Sequence, residues 1–221
     1  MPETLWTVVL SAGAGGEQAM ERLCQLYLAP ILAYLKSWNF NEHDARDLSQ
    51  MFIVHFLCQR GLARVDRNRG RFRFFLLTCL KNYVADHAHL LAPTAAQPLD
   101  TVMPDAQDPP DTRPRPDQDF DRKFALTLIE QTLTELRADY AQRGQSDRFD
   151  LLHDFLPGRH SHLSHAAAGQ RLGLSETAVT KAVSDLRERF RRLFRHQVAQ
   201  TVGSYEEVDQ EITHHIQLLS R

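Results

Sequence analysis

Cysteine is scarce and poorly placed for chemistry. Cys24, Cys58 and Cys79 are the only three in the chain and share no paired spacing. That excludes a disulfide frame or a paired-cysteine zinc site, and it fits reduced core thiols in a cytosolic protein. Long apolar runs are missing too, since no stretch approaches the ~20 residues of a membrane span. The first sixteen residues lack the basic segment of a secretory signal, so a cytoplasmic product is expected, with no membrane insertion. Alternating strand patterns are nearly absent, which makes the expected class all-α. No phosphate loop, nucleophile elbow or pair of acids on a cleft announces an enzyme, and no cofactor is expected. Histidine is abundant, with eleven residues, but the groups at 86–89, 160–162 and 213–215 lack partner ligands at a convincing spacing, so no metal is expected either.

What is present is charge in blocks. The net formal charge is only −2, but six arginines between Arg60 and Arg73 stand against Asp66 alone, a local +5. A second basic block, from Lys181 to Arg195, sums to +4. Between Pro93 and Arg122 the sign inverts, with seven aspartates against three arginines. Solvated helix faces would mix the signs throughout. Two basic patches about an acidic middle instead suit a polyanionic partner.

Apolar spacing predicts helices at about 17–38, 44–61 and 72–91, the first interrupted by Pro30, which should kink or restart it. The loop from Arg64 to Gly70 is polar and basic. From Pro93 to Gln118 seven prolines leave neither helix nor central strand possible, and residues 93–117 read as a flexible, semi-extended acidic linker. Further helices are expected at about 120–140 and 149–156, the latter stopped by Pro157-Gly158.

Residues 163–190, LSHAAAGQRLGLSETAVTKAVSDLRERF, then give a small-residue helix, the turn Gly173-Leu174-Ser175, and a long helix that Ser175 can cap. A short helix, a glycine-containing turn and a second helix headed by polar residues is a helix-turn-helix signature. In that motif the start of the second helix enters the major groove while arginines hold phosphates. An ordinary helical hairpin is the alternative. The polar Thr177, Thr180, Lys181 and Ser184 and the arginine density after them favour DNA.

Taken in order, these motifs resemble the extracytoplasmic-function (ECF) type of bacterial RNA polymerase sigma factor, in a form with a short C-terminal extension. The stretch Asp44-Ala45-Arg46-Asp47-Leu48-Ser49-Gln50-Met51 is similar to that family's Asp-Ala-acid-Asp-Leu-x-Gln-acid motif. Phe72-Arg73-Phe74-Phe75-Leu76, followed by Lys81-Asn82-Tyr83-Val84-Ala85-Asp86, is similar to its next helix, and residues 163–190 to its helix-turn-helix. The resemblance implies two small helical domains: a sigma region 2 bundle at 1–92 and a sigma region 4 helix-turn-helix domain at 118–201, with a C-terminal amphipathic helix at 202–221. It implies binding to core RNA polymerase through the β′ clamp helices and β flap, promoter-specific initiation at the nucleoid, and control by an inhibitory anti-sigma-like protein.

It also implies roles for residues. Asp44, Asp47 and Gln50 would anchor the polymerase, with Leu48 and Phe52 packing behind them. Arg46 and Met51 stand where the family carries acids, which removes negative charge from that edge. Arg69, Arg71, Arg73 and Lys81 would supply a positive groove for melted promoter DNA, and Asn82 an amide for base edges. Two roles are open for Tyr83, stacking on a base or filling the core, whereas Phe72 and Phe75 read as core. Past Asp86, where relatives continue with arginines and lysines, this chain has His87-Ala88-His89, so fewer phosphate contacts are expected. In the second domain Ser175, Thr177, Thr180, Lys181 and Ser184 would face the groove of an upstream promoter element, with Arg187, Arg191 and Arg192 on phosphates. Glu176 could accept from a cytosine amino group or simply favour the helix start.

Ser204 and Glu207 have capping-box spacing, and Val208, Ile212, Ile216 and Leu219 make an apolar stripe. That stripe either packs on its own domain or docks a regulator. A second functional reading follows because both the docking edge and the basic extension past Asp86 are depleted: a sigma-like interaction module, held by a regulatory partner and weak at promoters alone.

Overall fold

The computed structural model describes residues 17–38, 40–58, 71–91, 116–159 and 162–220. The basic loop with Arg69, residues 1–16 and linker positions 93–115 lie outside them. Among the described residues there are eight α-helices and no strand. They are α1 (Glu17–Ser37), α2 (Glu42–Cys58), α3 (Phe72–Leu91), α4 (Pro116–Gln142), α5 (Ser146–Leu152), α6 (His165–Leu172), α7 (Glu176–Thr201) and α8 (Val208–Leu219). Short 3-10 turns at His153–Phe155 and Tyr205–Glu207 follow α5 and precede α8.

Pro30 lies inside α1, which is a single element from Glu17 to Ser37. α4 opens within the expected linker, at Pro116. Proline suits the first helical position, where its missing N–H costs no bond, and Asp117 and Asp119 favour the positive end of the helix.

The described residues divide into two compact units, one comprising those up to Thr127 together with those from Ala199 onward, the other Leu128–Val198. This division differs from the boundary at 117 expected from the linker composition and from the one at 201 implied by the resemblance. The start of α4 and the whole of α8 go with the first unit, because their buried side chains are there.

The first unit has an aromatic core. Tyr27 of α1 stacks on Phe124 of α4 at 5.3 Å and meets the edge of Phe72 of α3 at 5.4 Å. Phe52 of α2 meets Tyr83 of α3 edge-on at 5.4 Å. Each such pair is worth about 0.5–1.5 kcal/mol beyond the area it buries. Ile31 and Leu35 of α1, Leu48 of α2 and Leu80 of α3 fill the space between the rings and are fully buried.

In the second unit Leu136 and Tyr140 of α4 and Phe149 and Leu152 of α5 pack with Ala168 of α6 and with Val179, Ala182, Val183 and Leu186 of α7. The α7 positions recur at helical spacing, so the opposite side of that helix is left to solvent.

Candidate nucleic-acid and partner surfaces

The helix-turn-helix segment is built by two serine caps and two glycines. Ser164 Oγ accepts a hydrogen bond from the Ala167 N–H at 3.1 Å and starts α6. Gly173 ends it in the left-handed region, at φ +66°, where an L side chain is strained. At Gly169 a Cβ would stand 2.6 Å from the Leu174 carbonyl oxygen, so only glycine lets the turn fold this closely onto α6. Ser175 Oγ then accepts from the Ala178 N–H at 3.2 Å and caps α7.

Ser175, Thr177, Thr180, Lys181, Ser184, Arg187, Arg191 and Arg192 are all exposed on or just before α7. They are not equivalent. The Arg187 guanidinium donates two hydrogen bonds to the Phe155 carbonyl, at 3.0 and 2.8 Å, and so ties α7 to the 3-10 turn. Those bonds give Arg187 a structural role beside the phosphate contact expected of it, since Nη1 takes no part in the fork and the side chain is exposed. Thr180 Oγ1 donates to the Glu176 carbonyl and lies 3.0 Å from His165 Nδ1, and Ser175 Oγ lies 3.0 Å from Thr177 Oγ1. Lys181, Arg191 and Arg192 make no ion pair among the described residues, so their charge is open to a partner. Arg189, which no sequence motif singles out, pairs with Asp139 at 3.1 Å above the Tyr140 ring and secures α7 against α4.

The α2 edge is different in kind. Asn41 caps the helix by accepting from the Asp44 N–H at 2.9 Å, and its amide donates to the Asp44 carboxylate at 2.7 Å. Asp44 is therefore committed to its own helix start. Asp47 and Gln50 are exposed, with His43 3.1 Å from Asp47. Leu48 and Phe52 are buried in the core and hold the helix in place without reaching its surface. Beside Asp47 and Gln50 lie two apolar residues left uncovered, Met51 at 46% and Val54 at 60% exposure. The edge pairs hydrogen-bonding groups with an apolar ridge, a composition suited to a partner helix bearing both.

The start of α3 departs most from expectation. Arg73 is 2% exposed and makes ion pairs with Asp121 of α4, at 3.1 Å, and with Glu211 of α8. Arg71, mostly covered, pairs with the same Glu211 carboxylate. Lys81 pairs with Asp117 at 2.6 Å, both side chains being about half exposed. The positive groove expected of Arg71, Arg73 and Lys81 is thus answered within the chain by three carboxylates. Burial drives this: a guanidinium out of water needs acids beside it. His214 and His215 of α8 line the same cluster. Burial, reinforced by Arg73, pulls the His215 pKa down to about 3, so its ring is neutral near pH 7. The same two causes lower His214. Burial likewise lowers the Arg73 pKa, opposed by Asp121.

Tyr83 is 5% exposed, between Phe52, His55 and a stacked His87 at 4.1 Å, which places it in the core and not on a base-stacking surface. Asn82 is exposed. The capping-box spacing of Ser204 and Glu207 is not used as a box: the Ser204 side chain makes no cap bond, and Glu207 accepts from the Gly203 N–H at 3.3 Å. Asp121, Glu211 and His215 are members of this cluster that no motif in the sequence marks. A signal exists for two of them, since Glu211 and His215 fall in phase with Val208 and Ile212 on the apolar side of α8.

No helix among the described residues is long and apolar enough to cross a membrane. No protein-family model, no curated protein and no solved structure matches this chain.

Proposed function

We propose that this chain is an ECF-type sigma factor that binds core RNA polymerase and directs promoter-specific initiation, in the cytoplasm at the nucleoid. The observation that carries the reading is the α6–turn–α7 segment. Two capping serines and a glycine turn present one polar and basic side of a long helix, with Lys181, Arg191 and Arg192 uncommitted. Major-groove reading needs such a helix, polar near its start for base edges and basic further on for phosphates. The exposed Asp47, Gln50, Met51 and Val54 edge of α2 is the surface assigned to the polymerase. No catalytic step and no cofactor enter this reading.

A second reading is favoured by one observation, the intramolecular pairing of Arg71, Arg73 and Lys81. A chain whose melting helix is self-neutralised would be weak at promoters alone, and would act mainly as an interaction module held by an inhibitory anti-sigma-like protein.

Co-purification of the tagged chain with core polymerase, followed by sequencing of bound DNA, separates the two. Recovery of β′ with a shared two-part promoter motif supports the first. Stoichiometric recovery of another protein without β′ supports the second.

A further inference from the structure

The geometry points to Phe74 as a stacking platform for an unpaired nucleobase, a part that the sequence leaves open for Tyr83. The inference rests on the reading of α3 as a strand-binding helix and names the aromatic that would do the binding.

Phe74 is 46% exposed although it sits in an apolar run, between the buried Arg73 and the half-buried Phe75. Nothing in the first unit's described residues covers that open half. The ring is nevertheless held in place, with the Arg73 guanidinium over it at 4.5 Å from the centroid and that of Arg71 at 5.9 Å. Both guanidiniums are fixed in turn by Glu211. Pinned this way, the arginines cannot leave to take phosphates, but they do hold one aromatic ring rigid at the surface. A rigid ring loses little conformational freedom on stacking, and each base–aromatic stack contributes affinity without regard to sequence.

The neighbours match a nucleotide more closely than a protein. Among the described side chains of α3, Phe74, Thr78, Lys81, Asn82, Ala85 and Asp86 are exposed, at successive helical spacings. Phe74 is the only large apolar group among these six, too little on this helix for a contiguous apolar patch, and Asp86 is the one acid among them. The Thr78 hydroxyl donates back to the Phe74 carbonyl at 2.8 Å and is spent. That leaves the Asn82 amide, able to donate to and accept from a base edge, and Lys81, both about two turns along. Lys81 is paired with Asp117, but at about half exposure solvent screens such a pair and it holds the ammonium only weakly. A phosphate can take the ammonium from Asp117 at little cost, whereas the buried Arg73 cannot be taken.

The test is fluorescence anisotropy of the full chain on a labelled fifteen-nucleotide thymidine strand, and on a mixed-sequence duplex of the same length. Phe74→Ala and Phe74→Leu should each weaken strand binding about tenfold, the scale of one lost stack, and leave duplex binding unchanged. Phe74→Trp should bind the strand at least as well as the parent. Phe74→Ala and Phe74→Leu also lose the ring beside the Arg73 guanidinium, so both should melt somewhat below the parent while Phe74→Trp matches it. Unaltered duplex binding shows that all three are folded, and leucine separates the loss of a π-face from the loss of an apolar group. Strand affinity unaltered in Phe74→Ala, or a parent chain that does not bind the strand, overturns the inference while leaving duplex reading by α7 standing. Loss of core polymerase binding in Phe74→Ala with strand binding intact also overturns it and makes the ring a protein contact. A parent that binds neither strand nor duplex overturns the inference, and co-purification with core polymerase then decides the sigma-factor reading by itself.

Discussion

Arg73 and Glu211 form an ion pair in which neither side chain is more than 2% exposed. One residue opens α3 and the other lies in α8, so the C-terminal helix is part of the first unit's core. Breaking a buried pair from one side strands the other charge, which costs about 3–5 kcal/mol. Glu211→Ala should therefore lower the urea midpoint steeply, by about that free energy. The double variant Arg73→Met with Glu211→Leu removes both charges and keeps the volume; it should recover only part of the loss, because Asp121 and Arg71 each lose a partner as well. An additive double variant would mean that Glu211 is not the partner on which Arg73 depends.

Acid should loosen this cluster in a defined window. His215 titrates at about 3 in the folded chain, against 6.5 for a free imidazole. The unfolded chain therefore takes up a proton that the folded chain refuses, and stability is full above about pH 6.5 and falls as the pH drops toward 3. The groups that face the ring are Arg71, Arg73, Asp121, Glu211 and His214. Over the whole window the loss is on the order of 4 kcal/mol. His215→Phe should flatten the upper part of the profile, between pH 6.5 and 5. A parent and variant with parallel profiles there would contradict it.

The α2 edge separates binding from folding. Asp47 and Gln50 are exposed, so Asp47→Lys with Gln50→Lys should abolish co-purification with core polymerase and leave the melting temperature within about 2 °C, as surface substitutions do. Phe52→Ala, one turn away but in the core, should cost about 3–5 kcal/mol of stability. Undiminished recovery of polymerase by the double lysine variant would remove this edge from the interface.

Much of this was legible in the sequence because local rules governed it. Leu48 and Phe52 recur at helical spacing and are buried, Ser175 stands before a helix and caps it, and Gly173 closes α6 as a glycine after a helix should. The start of α3 was not legible, for a physical reason. Arg71 and Arg73 look basic until the acids that meet them are known, and those come from Asp121 and Glu211, far away along the chain. Pairing between distant charges leaves no periodic trace. Tyr83 was ambiguous for a related reason, since its helical phase permits either side and only the rings of Phe52, His55 and His87 decide it.

The helix-turn-helix yields two kinds of variant that should behave oppositely. Gly169→Ala places a methyl 2.6 Å from the Leu174 carbonyl, a clash with backbone that cannot move aside, and overpacking of this sort costs about 1–3 kcal/mol. It should lower the melting temperature and, with it, duplex binding. Lys181→Ala with Arg191→Ala touches exposed, unpaired cations and should leave melting unchanged. It should weaken duplex binding, through the groove contact assigned to Lys181, and reduce the slope of log affinity against log salt by about one, for the phosphate that Arg191 no longer neutralises. Arg187→Ala falls between the two, because its guanidinium forks onto the Phe155 carbonyl and is also exposed: stability should drop and the salt slope should fall by about one. A salt slope that Lys181→Ala with Arg191→Ala leaves unaltered would show that α7 does not meet phosphates on this side, and the DNA surface would have to be sought elsewhere.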